Sequence, residues 1–463
     1  MSIVLFNSLG RKLEEFKPIQ PGQVSMYCCG PTVYNFAHLG NLRTYLFEDV
    51  LRRTLEINGL KVSHVMNITD VGHLTGDNLG DANTGEDKME KASQREGKTA
   101  WEIAEMYTKA FFEDFKLLNI KMPSVTPKAT DHIKEQIDMV EALINGGFAY
   151  ETTDGVYFDV SKWSEYGKLS GQKLEDKKAG ARIDVNDDKR NPQDFALWKF
   201  TPEGEVRQME WDGPGNRKGF PGWHIECSAM SMKYLGKHFD IHCGGVDHIP
   251  VHHENEIAQS EAANGEHYVN VWMHGEFMMV DGRRMGKSEG NAFFVKDLIA
   301  KGYDPLAFRY LNLGTHYRIQ LNFTWEALEA AQTALGRLKM HVAKLQGQGK
   351  VNEEYFQKFL ACLNNDLNTA ESLSVVWEVL KSDLSNEDKL ATIMNIDEVL
   401  GLSLDSPLEV KMEVSDEVLN LLELRAKART EKNFAESDRL RDQIAVLGYG
   451  VKDGASGQEL IKL

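Results

Sequence analysis

The stretch that most constrains the fold runs from Val24 to Asn67. Val24, Met26 and Cys28 alternate with polar or ambivalent neighbours until Gly30 and Pro31 break the run, which predicts a strand followed by a loop. From Leu39 the apolar residues Leu42, Leu46, Val50 and Leu51 recur at helical spacing, so His38, Gly40 and Asn41 fall at or near a helix N-terminus. After Gly59, Lys61 to Asn67 reads as a second strand. Strand, helix and strand in this order predict a parallel pair with its ligand crevice beyond the strands' carboxyl ends. Cys28 and His38 then flank the mouth of that crevice.

A chain of 463 residues has room for about three domains. Its hydrophobic fraction of 42% and charged fraction of 27% are ordinary for a globular protein. No apolar run approaches the roughly 20 residues of a membrane helix, and Ile3 to Phe6 is too short for a signal segment, so no membrane partner and a cytoplasmic location are expected. The five cysteines, Cys28, Cys29, Cys227, Cys243 and Cys362, are odd in number and widely spread, which favours thiols or metal ligands over a disulfide framework. A net charge of -17 argues against bulk attraction to nucleic acid while leaving room for a local basic surface.

Taken in order, the pattern predicts an α/β chain with a Rossmann-type parallel-sheet domain split by an insertion, then a helical bundle and a small C-terminal domain. The first half of the sheet domain spans 1–125 and the insertion 126–193, with a hairpin across Asp154-Gly155 and a polar loop from Ser161 to Asn191. The apolar run Asp194 to Phe200 restarts the sheet domain, assigned to 194–275. A helix from Trp223 to Gly236 and a second from Pro250 to Gly265 follow. Residues 276–322 carry a basic Gly-rich loop, 323–406 a helical bundle, and 407–463 two helices, the second opened by an Asn433 and Glu436 capping box.

Three groups of residues carry chemistry. His38, Gly40 and Asn41 place an imidazole and an amide at a helix N-terminus, where unpaired N–H groups and the helix dipole favour phosphate. Arg284 and Lys287 in RMGKSEGN could neutralise charge on a pentacoordinate phosphorus as pyrophosphate leaves. His252 and Glu256, four apart on one helix face, combine with the thiolates of Cys227 and Cys28 into a donor set that suits zinc. Cys29, Cys243, His248 and His253 are close enough in sequence to replace a named ligand, whereas Cys362 is expected in a core.

HLGN and RMGKS together resemble the two signatures of class I aminoacyl-tRNA synthetases, and CCGPTVYNFAHLGNLRTY, NITD, DFALWK, PGWHIECSAM, HHENEIAQSEA and RAKARTEKNFAESDRLRDQI resemble the cysteinyl branch of that family over nearly the whole chain. The resemblance implies a two-step reaction, in which L-cysteine and ATP with Mg²⁺ give cysteinyl-adenylate and pyrophosphate and the cysteinyl group then passes to the 3′ end of tRNA(Cys). It implies one zinc per subunit on Cys28, Cys227, His252 and Glu256, and a cysteine pocket of Cys28, Thr69, Trp223 and His242. It implies ATP on His38, Gly40, Asn41, Gly245, Asp247 and Lys287, of which His38, Asn41 and Lys287 would act in catalysis. It implies a monomer, with tRNA on a basic C-terminal cluster that includes Arg425, Lys427, Arg429 and Arg439. Zinc explains how cysteine is chosen over serine, since an apolar pocket rejects such an isostere by only about a hundredfold while a soft cation prefers a thiolate to a hydroxyl. The chain departs from the signatures at Asn41, Arg284 and Gly286, where the family usually has histidine, lysine and serine; Arg284 keeps the charge without the geometry. A ligase that passes activated cysteine to an aminosugar amine is the alternative within the same core.

Overall fold

The computed structural model describes residues 2–71, 74, 87–172, 188–286, 290–406, 416–454 and 457–462. It divides into two compact units, Met1–Leu408 and Glu409–Leu463.

In the first unit a hairpin of β1 (Val4–Asn7) and β2 (Lys12–Glu15) leads into the expected crossover of β3 (Gln23–Cys28), α1 (Leu39–Ile57) and β4 (Lys61–Met66). His38 caps α1 reciprocally with Asn41, its Nδ1 accepting from the Asn41 N–H at 3.1 Å while Asn41 Oδ1 accepts from the His38 N–H at 3.2 Å. Two helices follow, α2 (Lys88–Glu96) and α3 (Ala100–Leu117), then α4 (Ile133–Asn145). The strands β5 (Ala149–Glu151), β6 (Gly155–Phe158), β7 (Phe195–Phe200), β8 (Trp211–Asp212) and β9 (Lys218–Pro221) form one antiparallel sheet in the order β5-β6-β7-β9-β8. This corrects the expectation for Asp194 to Phe200, which is the middle strand of the inserted sheet and not a return to the parallel one. A short apolar run buried on both faces has the same pattern in either sheet, so only pairing decides.

The parallel sheet resumes with α5 (Trp223–Leu235), β10 (Phe239–Gly245), α6 (His252–Asn264) and β11 (Val269–Gly275), and its order is β11-β10-β3-β4 with all strands parallel. The two crossovers diverge from neighbouring β3 and β10, which makes the gap between their carboxyl ends a topological switch point and the natural place for a ligand. On one face Val24, Met26 and Cys28 pack with Leu39, Leu42 and Leu46 of α1; on the other Tyr27 and Cys29 pack with Cys227 and Met230 of α5 and Ile257 of α6.

A small sheet of β12 (Met278–Val280), β13 (Arg283–Arg284) and β14 (Leu321–Phe323) surrounds α7 (Val295–Ala300) and α8 (Pro305–Leu313) in sequence. The bundle comprises α9 (Trp325–Val342), α10 (Glu353–Leu363), α11 (Thr369–Lys381) and α12 (Asn386–Leu400), with Cys362 in its core as expected. Asp49 of α1 joins these layers, pairing with Arg53 at 2.8 Å and with Arg309 of α8 at 2.6 Å, while Arg309 also donates to Leu118 O and Leu400 O. In the second unit α13 (Asp416–Thr430) and α14 (Phe434–Val446) are followed by a hairpin, β15 (Tyr449–Gly454) and β16 (Gly457–Lys462), that the sequence pattern did not reveal.

Candidate active site and metal centre

A cleft of about 230 Å³ opens where β3 and β10 end, lined among others by Cys29, Asn41, Thr69, Trp223, Cys227, Asp247 and His252. At its base the donor atoms of Cys29, Cys227, His252 and Glu256 all lie within 4.8 Å of one another, and all four residues are buried. A second group, Cys29, His242, His253 and Glu256, shares two of these donors. Cys227, His252 and Glu256 are thus brought together as expected, but Cys28 is not.

The cysteine is Cys29, one residue on. Successive side chains along a strand point to opposite faces, so the choice between neighbours is a choice of sheet face. Cys28 follows Val24 and Met26 to the α1 face, where its thiol meets Cys243 and Glu48, and burial pushes that thiol up. It therefore stands outside the donor group and is not among the residues that line the cleft. Alternation in the sequence groups Cys28 with Val24 and Met26, and the packing of α1 on that face and of α5 and α6 on the other decides which cysteine meets the donors.

Electrostatics at the base favour a cation. Burial alone would raise the Glu256 carboxyl, yet His242 and His252 hold it well below the usual range. Its Oε1 lies 3.0 Å from His252 Nε2 and its Oε2 3.0 Å from His242 Nε2. Burial lowers His252, but Glu256 and Cys227 outweigh it and bring the imidazole up to about 10. Burial raises Cys227, while its bond with Cys29 and the charge of His252 bring it down to about 6. Carboxylate and thiol thus draw positive charge to the base of the cleft, and soft sulfur with nitrogen and carboxylate oxygen is a donor set that zinc accepts.

Thr69 and His242 stand beside this cluster. Thr69 Oγ1 accepts from Asn67 Nδ2 at 3.0 Å and donates to Glu226 Oε2 at 2.9 Å, which fixes its hydroxyl. His242 stacks on Trp272, with ring centroids 4.6 Å apart, and Trp223 covers His252 at 4.3 Å. His253, one of the alternative ligands the sequence offered, lies 3.2 Å from the Cys29 sulfur and 2.8 Å from His274. The site also recruits His224 and His274, which the sequence did not single out; His224 Nδ1 meets His252 Nδ1 at 3.0 Å. The one signal for His224 was its place in the segment that carries Trp223 and Cys227.

At the other end of the cleft the two signature segments meet. A Cβ on Gly40 would lie 3.6 Å from the Met285 sulfur, which places the start of α1 against the basic loop. Gly245 ends β10 and Asp247 follows it, 3.9 Å from Arg284. Asn291 accepts from the Gly286 N–H and donates to Arg284 O, closing the base of the loop. Lys287 lies outside the described residues. In the second unit Lys427, Arg429 and Arg439 are exposed, with Arg439 2.7 Å from Glu436. Arg425 is 1% exposed and donates to Gln458 at 2.7 Å, which corrects its place in an exposed basic cluster. Helical periodicity alone did not show that the α13 face bearing Arg425 is covered.

A split parallel sheet with its cleft at the switch point, bounded by a phosphate-favouring helix start and a basic loop, is the architecture of a class I aminoacyl-tRNA synthetase. Solved structures of that class align along most of the chain. Methionyl-tRNA synthetase of Mycobacterium tuberculosis bound by methionyl-adenylate has a TM-score of 0.56 at 13% identity, covering 90% of this chain and 96% of that one. The agnB2 LeuRS of Agrobacterium radiobacter K84, in a ternary complex, has a TM-score of 0.57 at 10% identity and covers 84% of each chain. These likenesses concern the fold.

The sequence narrows the class. Residues 15–333 match the tRNA synthetases class I (C) catalytic domain, and residues 412–460 match the cysteinyl-tRNA ligase anticodon binding domain. Cysteine--tRNA ligase 1 of Burkholderia lata is 50% identical over 461 residues, covering 99% of this chain and 97% of the relative. Cysteine--tRNA ligase of Treponema denticola is 44% identical over 489 residues, covering 98% of each. The chain belongs to the cysteine--tRNA ligase family, whose members activate cysteine with ATP and transfer it to tRNA.

Proposed function

We propose that the cleft performs both steps of that reaction with a division of labour along its length. The observation that carries this is the donor group at the base, with the start of α1 and the basic loop at the opposite end. Cys29, Cys227, His252 and Glu256 hold one zinc ion. Zinc supplies a soft Lewis acid that binds a thiolate in preference to a hydroxyl. Thr69, Trp223 and His242 shape the pocket around the cysteine side chain, with Thr69 fixed by Asn67 and Glu226. His38, Gly40 and Asn41, at the start of α1 where the helix dipole favours anions, receive ATP phosphates, and Gly245 and Asp247 lie near the nucleotide. Lys287 neutralises charge as the cysteine carboxylate displaces pyrophosphate from the α-phosphorus. These residues act mainly by positioning and charge stabilisation.

The chain works as a monomer, and its second unit, with exposed Lys427, Arg429 and Arg439, contacts the anticodon side of the tRNA. The test is cysteine-dependent ATP–pyrophosphate exchange on metal-quantified protein with serine as competitor, followed by charging of tRNA(Cys). Exchange with cysteine, about one zinc per chain and charged tRNA support the reading. Exchange without charging refutes the tRNA step and moves an amine acceptor to the front.

A further inference from the structure

One group of residues lining the cleft differs in kind from those at either end. It consists of Tyr34, Phe36 and Tyr107, together with Lys88, the only lysine or arginine among the described lining residues. The Lys88 ammonium lies 5.7 Å from the Tyr34 ring centre, and that of Lys296 lies 4.4 Å from the Phe36 ring centre. Phe36 meets Tyr107 edge to face at 5.0 Å, and Arg95 ties the group by donating to Tyr107 Oη at 3.0 Å and to Tyr34 O at 3.4 Å. Lys88 is the first residue of α2, whose buried cap Asp87 also pairs with Arg207. Among the described residues, Glu96, 2.9 Å from Arg95, and Asp114, near Lys296, are acidic neighbours beside Asp87.

Aromatic faces interleaved with cations form a surface that takes single-stranded nucleic acid, the rings stacking bases and the cations meeting phosphates. In the reading above the ATP phosphates go to the start of α1 and the basic loop, which leaves Lys88 and Lys296 without a phosphate of ATP to meet. The acceptor strand does need a path, since its terminal ribose must reach the activated carboxyl between those ends. We infer that Lys88 and Lys296, over Tyr34 and Phe36, position the single-stranded 3′ end of the tRNA in the cleft. The inference rests on the tRNA-charging reading above.

The experiment uses the full-length zinc-loaded protein with Lys88→Ala, Lys296→Ala and the double substitution, and compares exchange with tRNA charging in each. Each single variant is expected to lower kcat/KM for tRNA about tenfold relative to its exchange rate, a loss in the range of one lost nucleotide contact. It should also flatten the salt dependence of charging by about 0.7 on a log–log plot, as for one lost single-strand phosphate contact. Lys88→Arg and Lys296→Arg should recover part of the loss, which separates contact from misfolding. Equal losses in exchange and charging, unaltered charging, or an unaltered salt slope would overturn the inference. Failure of the wild-type protein to charge tRNA would overturn the underlying reading instead.

Discussion

Replacing each of the two adjacent cysteines in turn isolates the metal assignment. Cys29 offers one of four donor atoms that lie within 4.8 Å of one another, and Cys28 is buried against Cys243 and Glu48 on the opposite face. Zinc sites of four protein donors are worth roughly 10–16 kcal/mol in small zinc domains. Shared evenly, one donor carries about 3 kcal/mol, so Cys29→Ser should weaken zinc binding on the order of a hundredfold. Cys28→Ser should leave zinc affinity within about twofold and change stability by no more than about 1–3 kcal/mol, since the hydroxyl is buried beside Glu48 and Cys243. The assay is zinc release into a chromogenic chelator, with total zinc measured on the purified proteins and unfolding followed by urea. Zinc lost from Cys28→Ser and retained by Cys29→Ser would refute the face argument.

Three further outcomes are expected. Burial, with help from Arg52, holds the unpartnered His64 imidazole down at about 3, so the folded protein keeps it neutral while the unfolded chain protonates near 6.5. Its stability is whole above that pH and falls as the pH drops from about 6.5 towards 3; His64→Leu should spare about 2 kcal/mol of the loss between pH 7 and 5 in urea unfolding, and identical pH dependence would refute this. Asp49→Asn leaves Arg53 and Arg309 buried without their shared carboxylate and should cost about 3–5 kcal/mol in urea unfolding; a loss under about 1 kcal/mol would show that the carbonyls around Arg309 suffice. A chain ending at Leu408 should lose tRNA charging far more than pyrophosphate exchange, and equal loss in both assays would count against a tRNA role for the second unit.

Local pattern was enough for the crossover around α1, the placing of His38 at a helix start, the hairpin at Asp154-Gly155 and the helical bundle, because each depends on periodicity and turn chemistry within a few residues. It also singled out His252 with Glu256, since helical spacing places them on one face without reference to anything distant. Tertiary structure decided the rest. Whether Phe195–Phe200 pairs with the parallel or the inserted sheet depends on a partner strand elsewhere in the chain. Whether Arg425 meets solvent depends on Gln458 of a later hairpin. The choice of Cys29 over Cys28 depends on which helices cover each face of β3, and the joining of Lys88 and Lys296 beside one aromatic wall depends on helices about two hundred residues apart. Patterns short in sequence are set by backbone geometry, whereas a site assembled from several elements exists only once packing has brought their faces together.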